Sequence, residues 1–162
     1  MAMDYITIRR FLYREARYLD DREWENWLTC YADNVEYWMP CWNDDDELTK
    51  DPQSEVSLIY YPNRRGLEDR IFRIQTERSS ASTPEPRTTH MISNIEIIDS
   101  RDNEVDIRYN FHTLSFRYRT TDHYFGTIFA TIVKDGDELK INKKKIVLKN
   151  DYIRQVIDIY HI

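Results

Sequence analysis

EVDIRYNFHTLSFRYR, residues 104–119, carries the pattern on which the reading of the chain turns. Val105, Ile107, Tyr109 and Phe111 alternate with polar neighbours, the period of two that sets one side of a β-strand against a core. Leu114, Phe116 and Tyr118 continue the alternation on even numbers, so the apolar phase slips near His112 and Thr113. One extra residue in a strand produces such a slip. The expectation is a long, strongly curved antiparallel strand bulged at that point.

Three further runs share this β character: HMISNIEIID (90–99), HYFGTIFATIVK (123–134) and LKINKKKIVLKND (139–151). Ser100–Asn103 and Asp135–Asp137 read as hairpin turns between them. Connections this short leave no room for crossover helices, so an antiparallel sheet is expected. Its basic last run reads as a solvated strand face. VEYWMP (35–40) is an earlier strand with Val35, Tyr37 and Met39 on one side, Glu36 and Trp38 on the other, and Pro40 as its end. SLIYY (57–61) reads as a short strand or an extended lead-in.

The rest of the first half is helical. Tyr5, Ile8, Leu12, Ala16 and Leu19 recur at threes and fours and gather on one helix face. Asp20 and Glu23 have capping-box spacing and predict a second helix with Trp24, Trp27, Leu28 and Tyr31 as its stripe. A third helix is expected after Gly66, with Leu67, Ile71 and Ile74 inward and an Asp69–Arg73 pair outward. SSASTPEPR (79–87) has loop composition. Helices followed by a meander predict an α+β fold, a curved antiparallel sheet forming a cone around the third helix. The 162 residues are most simply one domain, 1–162.

Composition narrows the function. Apolar residues make up 41% and charged residues 32%, and no apolar run reaches the ~20 residues of a membrane span. The N-terminal stretch does not read as a secretory signal. Cys30 and Cys41 give no disulfide framework and fit a reducing cytoplasm. A net charge of −6 argues against nucleic acid as a partner. Three glycines nearly exclude a phosphate-cradling loop.

Metal chemistry finds little support in the spacing. Neither cysteine has a histidine at the distance a Rieske cluster needs, and His90, His112, His123 and His161 form no helical pair. His112, beside Asp106, Tyr109 and Tyr118, is the candidate general acid or base of a cone-shaped pocket, as in a stand-alone isomerase or dehydratase. EYWMPCWNDDDE (36–47) sets four acids beside two tryptophans, but Thr49 stands where a calcium loop needs glycine. Rings rimmed by hydrated charge read instead as a subunit contact. The candidate contact residues are Trp38, Trp42, Tyr60, Tyr61, Arg64 and Arg65.

FLYREARYLDDREWENWL (11–28), the long segment from Glu36 to Ser82 containing EYWMPCWNDDDELTKDPQSEVSLIYYPNRRGLEDRI, and KKKIVLKNDYIRQVIDIYHI (143–162) resemble the small (beta) subunit of aromatic-ring-hydroxylating dioxygenases, benzoate and toluate group. The resemblance implies a cystatin-like, nuclear-transport-factor-like cone. It implies a non-catalytic, cytoplasmic subunit that forms homotrimers and joins three catalytic alpha subunits in an α3β3 hexamer. The Rieske [2Fe-2S] cluster and the mononuclear Fe(II) belong to the alpha subunit, and NADH supplies electrons through a reductase component. Benzoate or a substituted benzoate is the implied substrate, with anthranilate as the alternative. No catalytic, cofactor-binding or metal-binding residue is implied in this chain.

Overall fold

The computed structural model describes residues 3–76, 84–150, 152–154 and 156–162. Helices α1 (Tyr5–Asp20) and α2 (Trp24–Thr29) lead into strands β1 (Tyr31–Pro40) and β2 (Ser57–Tyr61) and helix α3 (Arg64–Thr76). Strands β3 (Arg87–Arg101), β4 (Glu104–Arg117), β5 (Thr120–Asp135) and β6 (Glu138–Leu148) follow, and a 3-10 turn, Ile159–His161, closes the chain. The six strands form one sheet in the order β2-β1-β6-β5-β4-β3. This is the α+β cone expected from the sequence. One pairing departs from the expectation: β1 runs parallel to β6, because the chain between them crosses the whole sheet.

Asp4 starts α1 by accepting the Thr7 N–H at 2.8 Å. The helix buries Ile8, Phe11, Leu12, Glu15, Ala16 and Leu19, while Tyr5 lies outside that face at 44% exposure. Asp20 does not cap α2. It ends α1 and binds β3 instead, and α2 is too short to carry Tyr31, which opens β1. Val35, Tyr37 and Met39 are fully buried, as the alternation of VEYWMP predicts. In α3, Leu67 and Ile71 face the core, and the expected Asp69–Arg73 pair gives way to Arg64–Glu68 at 3.0 Å. Ser79 to Thr83 of the expected loop lie outside the described residues.

The decisive stretch behaves differently from its reading. No bulge interrupts β4, whose register with β5 is continuous from Glu104 to Arg117. Odd positions stay inward throughout, so Thr113, Ser115 and Arg117 are buried while Leu114 and Phe116 turn outward. The bulges sit in the neighbours. Asn94 adopts φ 55° where β3 slips against β4, a conformation asparagine tolerates better than most residues. In β6 the inward set changes from Leu139 and Ile141 to Lys144, Ile146 and Leu148 across Asn142. That slip carries Lys144 into the core, against the expectation of a solvated basic face.

Candidate subunit-contact surface

The sheet has an inner face under the helices and an outer face on which Trp38, Thr127 and Val147 are buried while Phe125 and Phe129 are exposed. Register builds a row across all six strands of the outer face: Tyr60, Trp38, Lys145, Phe129, Arg108 and Glu96. The row alternates rings and charges. Lys145 lies 5.0 Å from the Trp38 ring centroid and Arg108 5.3 Å from that of Phe129, while Arg108 reaches Glu96 at 3.8 Å. Each such cation–ring contact at a wet surface contributes about 0.5–1 kcal/mol. The row therefore stiffens the side chains it presents.

The six candidate contact residues occupy different environments. Trp38 and Tyr60 share this row, with the Trp38 indole donating to Ser57 Oγ at 2.9 Å. Tyr60 donates to Glu36 at 3.4 Å, and burial followed by that carboxylate pushes its phenol pKa up. Trp42 lies half-buried, its indole donating to the Leu148 carbonyl at 2.6 Å. That bond ties the acidic loop to the end of β6. Within the loop Asn43 accepts the N–H groups of Asp45 and Glu47, leaving Asp44, Asp45, Asp46 and Glu47 exposed. Tyr61 faces inward, 6.3 Å from the Tyr37 ring. Arg64 clasps the Tyr31 carbonyl and Glu68, whereas Arg65 is exposed.

The interior is polar in two places that the sequence reading missed. In the first, Lys144 Nζ lies 3.1 Å from Glu15 Oε1 and 3.2 Å from the Tyr31 hydroxyl, with both charges almost fully buried. Trp27 and Tyr31 also donate to Glu15, at 2.9 and 2.6 Å. Burial alone would raise the Glu15 pKa, but Lys144 and the two donors outweigh it and hold the carboxyl below its ordinary value. Burial and the neighbouring Glu15 push the Tyr31 phenol well up. In the second, Asp20 accepts the His90 Nδ1–H at 2.5 Å, the His90 backbone N–H at 3.0 Å and the Thr88 hydroxyl at 2.9 Å. His161 stacks on Tyr124 close by, and burial pushes its pKa down to about 4.

His112 does not join either group. Its Nε2 meets His123 Nδ1 at 2.8 Å on the outer face, one strand over, and the ring centroids stand 5.1 Å apart. The two imidazoles thus meet end to end through one proton. The expectation of His112 in a cone pocket with Tyr109 is overturned, because Tyr109 is inward and His112 outward on the same strand.

The donor sets can also be tested against the two iron centres that the resemblance implies for the larger partner. Cys30 is a buried thiol whose pKa is pushed up to about 12, first by burial and then by Glu15. Cys41 lies elsewhere, beyond the end of β1, and no group of three metal-ligating side chains converges among the described residues. These residues fit neither a Rieske cluster nor a mononuclear iron site.

Residues 14–155 match the family described as ring hydroxylating beta subunit. The chain belongs to that family. A toluate 1,2-dioxygenase beta subunit from Pseudomonas putida is 58% identical over all of both chains. The crystal structure of a benzoate 1,2-dioxygenase beta subunit from Burkholderia mallei matches with a TM-score of 0.86 and 49% identity, covering 100% of this chain and 99% of that one. The fold extends beyond the family: a Nostoc punctiforme protein with a cystatin-like fold matches at TM-score 0.60 and 13% identity, over 93% of this chain and 94% of that one. The cystatin-like cone expected from the sequence is the fold observed.

Proposed function

We propose that this chain is the non-catalytic, structural beta subunit of a cytoplasmic dioxygenase that dihydroxylates benzoate or a substituted benzoate, and that it acts as one domain over residues 1–162. It forms a homotrimeric base and seats three catalytic alpha subunits in an α3β3 assembly. The alpha subunits hold the Rieske cluster and the mononuclear iron, and a reductase passes them electrons from NADH. The observation that carries this reading is where the reactive-looking groups go. The core's buried charges are bonded to one another, whereas Phe129 and the Arg108 side chain of the outer face are 40% and 41% exposed, which supports a contact role for that face. The benzoate assignment is supported by the likeness to toluate and benzoate enzymes.

The test is co-expression with an alpha subunit of the benzoate group. The expected result is a complex of defined mass that contains iron and oxygenates benzoate with NADH and the reductase. Iron or turnover in this chain alone, or failure to bind the alpha subunit, would refute the reading. Trp38→Ala, Tyr60→Ala and Arg65→Ala are each expected to weaken the complex. Each is read as a lower yield of co-purified alpha subunit.

A further inference from the structure

At one end of the sheet the usual amphipathy is inverted. Thr113, Ser115 and Arg117 of β4 point into the protein, while Leu114 and Phe116 point out. Met91 on β3 and Phe125 on β5, 43% and 44% exposed, flank His112 by register and lie diagonal to Leu114, while Arg87 and Thr121 flank Phe116. An exposed apolar cluster of this kind marks an interaction surface. Its charge is one-sided. Arg87 lies 5.2 Å from the Phe116 ring centroid, and Arg119 stands exposed at the tip of the β4–β5 turn. The two nearby carboxylates are already engaged, Glu85 by Arg22 and Asp122 by Arg154. Tyr118 and Arg119 hold φ of 52° and 59°, where turns of this type favour asparagine and glycine. The backbone there is strained, and the strain sets a ring and a guanidinium at the tip.

The complementary surface lies on the same chain. Asp44, Asp45, Asp46 and Glu47 are exposed and form no ion pair among the described residues, and Trp42 anchors their loop beside the end of β6. Strand directions put this loop and the arginine cluster at one end of the sheet, but toward opposite edges, the loop after β1 and the arginines on β3 and β4.

We propose that the apolar, arginine-bearing end of the outer face docks a second copy of this chain, which seats its Asp44–Glu47 loop against Arg87 and Arg119. Two different patches meet, so the contact is heterologous and propagates around an axis. Such a contact closes into a ring when the rotation between neighbouring copies is a whole fraction of a turn. The inference rests on the reading of the chain as a self-assembling subunit and specifies the contact that assembles it.

Sedimentation of the full chain over a concentration series tests it, with circular dichroism confirming that each surface variant folds. Arg87→Glu/Arg119→Glu and, separately, Asp44→Lys/Asp45→Lys/Asp46→Lys should each weaken self-association by about tenfold or more, through like-charge contact. All five substitutions in one chain should restore it to within about threefold of the wild type. A self-associating wild type that neither reversal weakens, or five substitutions that fail to restore association, overturns the contact while leaving subunit assembly intact. A chain that stays monomeric at ~100 μM overturns it as well. Capture of an alpha subunit by the same variants, measured separately, tells loss of this contact from loss of the subunit role.

Discussion

Lys144→Met removes a buried cation of nearly matched length and leaves the Glu15 carboxylate without its counter-charge. At 3.1 Å and an effective dielectric of ~20, the attraction between the two charges is about 5 kcal/mol. Desolvation of both ions offsets much of that in the wild type, so the pair itself contributes little net stability. The single variant suffers the uncompensated cost, which is about 3–5 kcal/mol for a broken buried pair. In a chain of this size that lowers Tm by roughly 6–20 °C. Glu15→Gln should cost a similar amount by stranding Lys144, whereas Glu15→Gln/Lys144→Met leaves no buried charge unpaired and should cost less than either single variant.

Denaturant titration of the four proteins at neutral pH measures the cycle, and its pH dependence supplies a second readout. In the wild type Glu15 is held below its ordinary value when folded. Its contribution is therefore present above the ordinary carboxyl range and is lost as pH falls through the depressed folded value. Without Lys144, burial dominates and the folded pKa rises above the unfolded one. Lys144→Met should then recover stability as pH falls from 7 toward 5, opposite in sign to the wild type. Single variants costing less than ~1 kcal/mol, strict additivity, or equal pH slopes would show that the buried pair is not coupled as its geometry states.

Three further outcomes follow from local geometry. His161 titrates at about 4 when folded, against 6.5 ordinarily, so folding loses roughly 3 kcal/mol as pH falls from 6.5 to 4; His161→Asn, which keeps an acceptor for the Asp158 N–H, should flatten that slope in denaturation measured across this range. Gly126→Ala would set a methyl 1.9 Å from the Val147 carbonyl oxygen and should cost more than ~3 kcal/mol, whereas Gly136→Ala, at φ +63° in open space, should cost about 1–2 kcal/mol in the same thermal melt. Arg119→Gly should relax the β4–β5 turn and raise stability by about 1 kcal/mol, read as a higher denaturant midpoint, with Tyr118 kept because its ring and hydroxyl hold the buried Arg117.

Elements defined by local chemistry were legible in the sequence. The turns expected at Ser100–Asn103 and Asp135–Asp137 fall within those bounds, at Asp102-Asn103 and Gly136-Asp137, and the two faces of VEYWMP and the apolar side of α3 stand where their residues placed them. The bulge did not, for a physical reason. Reading Leu114 and Phe116 as inward assumes that apolar means buried within the chain, and that assumption fails here because the register of β4 stays continuous and keeps odd positions inward. The real slip in β6 had a signal, since Leu139 and Ile141 are odd and Ile146 and Leu148 even, with Asn142 between them. A basic run obscured it. The Asp20–His90 and Glu15–Lys144 contacts join residues 70 and 129 positions apart, and no local pattern encodes such meetings. Of the six candidate contact residues, Trp38 and Tyr60 share the outer row, while Tyr61 faces inward because β2 pairs its alternate positions with opposite sides of β1.

The same partition explains why a structural subunit would keep an ion pair in its core. Hydrophobic side chains of equal volume would stabilise the centre at least as well. They would not, however, fix position. Glu15 on α1 accepts directional bonds from Trp27 on α2, Tyr31 on β1 and Lys144 on β6, so one carboxylate sets the register of both helices against two adjacent strands. Those strands carry Trp38 and Lys145 on their other side. A slip of α1 by one turn would bury Glu15 unpaired and lose all three bonds, whereas an apolar core would tolerate it. The pair thereby holds the outer row in one arrangement, which a rigid contact surface requires and a ligand-accepting cavity does not. Glu15→Gln/Lys144→Met should accordingly retain most of its stability yet capture alpha subunit less well. Undiminished capture would assign the pair to packing alone.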